Sequence, residues 1–98
     1  MGGFVQIVEL KTSRIDEIES LIHERRASGG PMPMVRAVLT VDRDRPDHYL
    51  SILEFESYEQ AMENSNDPET TELAQKVASL CDEPPKFLNL DVRRVEAR

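Results

Sequence analysis

Few residues in this chain are of types that do chemistry, and their neighbours narrow the choices further. Asp42, Asp44, Asp47 and His48 crowd into the run DRDRPDH, which offers oxygen and nitrogen donors of the kind a divalent cation takes. Arg43 and Arg45 are interleaved with them and oppose a bound cation, and the spacing does not follow a calcium loop. The run reads as a solvated hairpin turn, and no metal is expected. Cys81 stands alone, so neither an intrachain disulfide nor a cysteine zinc site is available. With no histidine near it in sequence, it reads as a half-buried thiol at a helix end, not as a nucleophile. His23 and His48 are candidate acid–base groups, and each is equally well read as an ordinary surface imidazole. No phosphate loop, nucleotide fingerprint or catalytic-triad spacing occurs, so no flavin, nicotinamide, haem or metal cofactor is expected.

The elements that must position these residues follow from periodicity. Phe4 to Lys11 is rich in branched and aromatic residues and predicts a first strand. Ile15, Ile18, Leu21 and Ile22 then recur at helical spacing, with Ser13 as the expected N-cap and Gly29-Gly30 as the expected stop. The prolines of PMPM break the helix. Val35 to Val41 and Tyr49 to Phe55 predict a hairpin around the Asp-rich turn. Ser57, with Gln60 three residues on, opens a second helix that Asp67-Pro68 restarts, and Leu73, Val77 and Leu80 form its stripe as far as Cys81. After Pro84-Pro85, KFLNLDVRRV predicts a fourth strand.

The order β-α-β-β-α-β predicts an α+β, ferredoxin-like fold, an antiparallel sheet with its helices on one face. A sheet with one wet face alternates apolar and polar residues. Here Tyr49, Leu53 and Phe55 share one face of their strand with Ser51, while Leu50 and Ile52 take the other, and Val5 and Ile7 oppose Phe4, Val8 and Leu10. Two helices cover one face only, so a second copy of the chain is expected on the other, giving a homodimer. In the fourth strand Asn89, Asp91 and Arg93 alternate with Leu88, Leu90 and Val92. The polar set is expected to face the partner subunit and form cross-subunit pairs, with contact to a ligand as the alternative.

The stretch FESYEQAMENSNDPET resembles the strand-to-helix signature of the dimeric α/β-barrel superfamily, in particular its antibiotic-biosynthesis-monooxygenase type. There a strand commonly ends in Trp-Glu-Ser, followed by an acid- and alanine-rich helix start, a His and a Pro-Glu pair. Phe55-Glu56-Ser57, Asn64 and Pro68-Glu69 take those places here. The resemblance implies a single domain over residues 1–98, a homodimer whose two sheets form a barrel, and an apolar pocket between sheet and helices in each subunit. Some members oxidise aromatic polyketides with dioxygen and no cofactor, some degrade haem, and many have no assigned activity. This chain has no tryptophan and carries Asn64 where a His is common, which removes the residues that haem degradation relies on.

On that basis Tyr49, Leu53, Phe55 and Asn64 are the candidate ligand-binding residues, the first three as wall and Asn64 as hydrogen-bond donor. Core packing is the competing role for the aromatic residues, and helix capping for Asn64. Cofactor-free oxygenation needs an apolar cavity, a group that takes the substrate's proton, and donors that hold the resulting anion. Three readings stay open: a binding protein for a small apolar or aromatic molecule, a cofactor-independent monooxygenase, and a dimeric interaction module. The 19 acidic against 12 basic side chains leave a net charge of −7, which repels phosphate backbones and anionic membranes, so nucleic acid and membrane are not expected partners. No apolar run approaches a membrane span and the N-terminus has no signal pattern, so a cytoplasmic protein is expected.

Overall fold

The computed structural model describes residues 3–28 and 33–97. Its elements are β1 (Phe4–Lys11), α1 (Ile15–Ala27), β2 (Met34–Val41), β3 (His48–Phe55), α2 (Tyr58–Asn66), α3 (Pro68–Ser79) and β4 (Lys86–Asp91). The four strands form one antiparallel sheet in the order β2-β3-β1-β4, with the helices on one face. The expected ferredoxin-like arrangement is therefore present. Its second helix is divided at Asp67, where an extended backbone separates α2 from α3.

Local chemistry explains where most helices begin. Ser57 Oγ accepts from Gln60 N at 3.1 Å, and Asp67 Oδ1 accepts from Glu69 N at 2.9 Å with Pro68 at the first helical position. The cap of α1 differs from expectation. Arg14 occupies the N-cap with no side-chain cap, and its N–H donates to Thr12 Oγ1 at 2.9 Å, while Ser13 is exposed. Thr12 takes the role because it is fully buried and its hydroxyl also donates to Leu80 O at 2.6 Å, tying the start of α1 to the end of α3. The Gly29-Gly30 stop lies outside the described residues.

Registry decides which side chains share a face. Phe4 pairs with Phe55, Gln6 with Leu53, Val8 with Ser51 and Leu10 with Tyr49. This row meets the helices: Phe4 and Phe55, each 3% exposed, form a core with Ala61 of α2, with Leu53, Met34 and Met62 packed against it. Phe4 also meets Tyr58 edge to face at 5.4 Å, a geometry worth about 0.5–1.5 kcal/mol beyond area burial. Ile18 is the fully buried member of the α1 stripe, and burial of such a side chain contributes about 1.5–3 kcal/mol.

The opposite row carries Val5 and Ile7 of β1, Leu50 and Ile52 of β3, Val38 of β2, and Leu88 and Leu90 of β4. None of these is buried. On β4 the expectation for the polar residues is corrected. Asn89 pairs with Gln6 and Asp91 with Phe4, so the polar residues lie on the helix side and the leucines on the open side. Strand parity groups these residues correctly, but only pairing with β1 says which group meets the helices.

Candidate functional site

The helix side of the sheet is closed at its ends and loose in its middle. Phe4 and Phe55 seal one end, while Leu10 and Thr12, at 4% and 0% exposure, seal the other. Between them Gln6, Val8, Ser51 and Leu53 are only half-buried. Every residue of the edge strand β4 is exposed, and we term the half-buried row beside it the trough. Phe87 stands there in the same row as Val8, half in solvent at 51% exposure.

Polar groups are few in the trough, and two are joined. Gln6 Nε2 donates to Asn89 Oδ1 at 3.1 Å. That bond leaves the Gln6 carbonyl oxygen as an acceptor and the Asn89 amide nitrogen as a donor, beside apolar Val8, Leu53 and Phe87. Asp91 continues the Asn89 row. An apolar surface with a small number of convergent polar groups is the usual make-up of a small-molecule site.

The residues anticipated from the sequence fall in different places. Leu53 borders the trough and Phe55 closes its end as part of the core. Tyr49 lies at the opposite end in the row of Leu10, and it also lines a separate hollow beside the β2–β3 hairpin. Asn64 joins the two segments of the divided helix: its Oδ1 accepts from Thr70 Oγ1 at 3.2 Å and its carbonyl from Asp67 N at 3.2 Å. Arg25 of α1 reaches the same junction, 3.8 Å from Asp67 and 3.5 Å from Glu69. Gln6 escapes sequence reasoning as a site residue, whereas Asn89 is among the β4 residues read from the sequence as pairing across subunits or contacting a ligand. The signal available was a glutamine interrupting the apolar face of β1, and it acquires meaning only once β4 is known to lie beside it.

Cys81 is half-buried and its Sγ lies 3.3 Å from Val77 O. Burial first, and the Asp82 carboxylate second, push its thiol above the ordinary range, which keeps it protonated and a weak nucleophile. Among the described residues no group of three His, Cys, Asp or Glu side chains is placed to hold a metal ion, and no helix is long and apolar enough to cross a membrane. A larger hollow, about 670 Å³, runs along Val5, Leu90 and Val92 toward Arg93 and Arg94. It is a shallow groove continuous with the apolar open face, and it does not reach Gln6 or Asn89.

No family model matches the chain, and none of the curated proteins does. Solved structures do match. A protein assigned as an antibiotic biosynthesis monooxygenase from Caulobacter crescentus superposes with a TM-score of 0.79 at 13% identity, covering 95% of this chain and 92% of the other. SnoaB, a cofactor-independent oxygenase from Streptomyces nogalater, gives 0.76 at 16% identity over 96% and 95% of the two chains. A hydroxynitrile lyase from Passiflora edulis gives 0.76 at 17% identity over 97% of each. Identities this low carry the architecture and leave the chemistry open. The chain has the ferredoxin-like fold of the antibiotic-biosynthesis-monooxygenase type.

Proposed function

We propose that the protein is a homodimer in which each subunit binds one small apolar or aromatic molecule in the trough between sheet and helices. The observation that carries this reading is the half-open middle of the helix side. Phe87 stands half in solvent beside it, and the Gln6–Asn89 amide pair stands next to Val8 and Leu53. A module whose only role is assembly has no need of an open trough with oriented amides.

Dimerisation is supported by surface area. The chain exposes 7138 Å², against about 5,700 Å² for a folded monomer of this mass. The apolar open face of the sheet, with Leu88 and Leu90 at 36% and 42% exposure, is part of that surface. A standard interface buries roughly 800 Å² per partner. Sheet-to-sheet association makes a barrel of two copies and removes the face from water.

A second reading, cofactor-independent oxygenation, is favoured by one arrangement on β4. Asn89 supplies a donor for a substrate anion, Asp91 in the same row supplies a carboxylate to take a proton, and Phe87 supplies an aromatic wall. SnoaB shows that this architecture accommodates such a reaction in another protein.

Native mass spectrometry of freshly purified protein tests the main reading. A dimer carrying a small organic molecule, released on denaturation and bound more weakly by Asn89→Leu, is the expected result. A monomer, or a dimer to which no apolar probe binds saturably, overturns it. Oxygen uptake with a polycyclic phenol separates the two readings: Asp91→Asn abolishes turnover with binding intact only if the protein is an enzyme.

A further inference from the structure

The three helices are anchored unequally. Ile18 of α1 is fully buried and Ala61 of α2 is 1% exposed, whereas no residue of α3 is buried. The inward stripe of α3, Thr70, Leu73 and Val77 with Leu80 at the C-cap, is half-buried throughout. A helix without a buried anchor opens at lower cost than one that has it.

Yet α3 runs the length of the trough. It begins where α2 stops, and α2 packs Ala61 and Met62 on Phe4 and Phe55, the seal at one end. It finishes at Leu80, whose carbonyl accepts from Thr12 Oγ1 at 2.6 Å, at the other seal. Its 12 residues measure about 18 Å at about 1.5 Å per residue. The row from Phe4 to Leu10 is roughly 20 Å long at about 3.4 Å per residue. Gln6 and Val8 lie between the two seals, so α3 bridges them as a roof. This is the helix side, which a second copy on the open face does not cover.

Both ends of α3 suit a pivot. At Asp67 the backbone is extended, with φ −70° and ψ 125°, and Pro68 has no N–H to carry the helical ladder across. Asp67 N donates to Asn64 O at 3.2 Å, and Thr70 Oγ1 to Asn64 Oδ1 at 3.2 Å. At the far end Asp82 N donates to Lys11 O at 2.7 Å, which fixes the chain just past the helix.

Arg25 is the catch between α1 and the start of α3. Its guanidinium lies 3.8 Å from Asp67 and 3.5 Å from Glu69, longer than ordinary hydrogen bonds, and its Nη1 is buried with no hydrogen-bond partner among the described residues. A buried donor left unpaired works against the closed state, because opening returns it to water. The catch is therefore weak.

We infer that α3 is a gate over the trough, swinging as a unit about Asp67 and Leu80 to admit a ligand and closing on it. The gating role rests on the trough being the binding site, while the motion of α3 does not. A ligand in the trough gives Leu73 and Val77 the contacts they lack, so it favours the closed position.

Native-state amide exchange on the full-length protein tests the motion without a ligand. Amides from Leu73 to Ser79 are expected to exchange together, at least tenfold faster than those of β1 and β3. Arg25→Met removes the unpaired nitrogen and leaves Asp67 and Glu69 at the helix N-terminus, where their charge is favourable, and it slows this exchange about tenfold. Thr70→Val removes a bond at the pivot and speeds it about tenfold, with β1 and β3 unchanged in both variants. Saturating 1-naphthol, a small aromatic probe, slows α3 at least tenfold. If α3 exchanges no faster than β1, or if both variants shift all amides equally, the gate is overturned. It is also overturned if 1-naphthol binds saturably in the trough without slowing α3, and the trough then stands as the binding site. If α3 opens but 1-naphthol does not bind, the reading of the trough fails and the gating role with it.

Discussion

The two faces of the sheet carry almost the same kinds of apolar residue and end in different states. On the helix side Phe4, Leu10 and Phe55 are buried, and Ala61 and Met62 pack against the two phenylalanines. On the open side Val5, Ile7, Val38, Leu50 and Ile52 are only half-buried, and Leu88 and Leu90 are 36% and 42% exposed. Hydrophobicity alone therefore does not tell a core face from a contact face. What separates them here is the centre: on the helix side it holds the polar residues Gln6, Ser51 and Asn89. The open side has an apolar centre and charged ends, with the Arg36–Glu54 pair at one and Lys11 and Lys86 at the other. A polar centre suits a ligand, and an apolar centre with a charged rim suits another protein surface.

The largest expected effect that can break this comparison is at Ile52, in the middle of the open face. Ile52→Lys places an uncompensated charge in a sheet-to-sheet contact and costs roughly 3–5 kcal/mol of association, a hundredfold or more in Kd. Sedimentation at micromolar concentration is expected to show a monomer of 11.2 kDa, still folded by circular dichroism. A variant that remains dimeric excludes the open face as the interface.

Phe55→Ala addresses the other face and removes a ring from the sealed end of the trough. A loss of about 3–5 kcal/mol in urea unfolding is expected. If the loss is under about 1 kcal/mol, Phe55 is not the core residue that its burial indicates. Thr12→Val comes next, since it keeps the shape but withdraws a hydroxyl that bonds Leu80 O and Arg14 N. About 1–3 kcal/mol is expected for the groups left unpaired. The hairpin hollow also loosens, which is readable as faster amide exchange at Asp82 and His48.

The smallest effect is at Cys81, away from both faces. Its folded-state pKa is raised, so its contribution to stability is present below the ordinary thiol range and is lost as pH rises through the folded value. Alkylation by iodoacetamide near neutral pH is expected to be several-fold slower in the folded protein than in urea. Equal rates in the two conditions refute a shielded thiol.

What the sequence makes legible is local, and what it hides depends on long-range pairing. Ser57 and Asp67 cap their helices with partners two or three residues away, and both are visible as short motifs. Ser13 and Thr12 are adjacent hydroxyls, and only the bond to Leu80, 68 residues distant, decides that Thr12 is the buried one. Asn89 and Asp91 are evidently one row of a strand, but the side they face is set by pairing with β1, and Gln6 meets Asn89 across 83 residues. The trough was therefore foreseeable as a location, between sheet and helices, while its amide pair was not.

The sheet order also sets the timing of folding. β2 and β3 are joined by a short turn and can pair as soon as both have left the ribosome. β1 is synthesised before either, yet its neighbours are β3 and β4, so it must wait through all three helices for its second partner. Until Lys86–Asp91 emerges, Phe4, Val8 and Leu10 sit on a strand with one edge unpaired, the kind of edge that recruits other chains. The nascent protein is thus most prone to misassociation just before its last strand arrives, and that strand is the one that completes the trough.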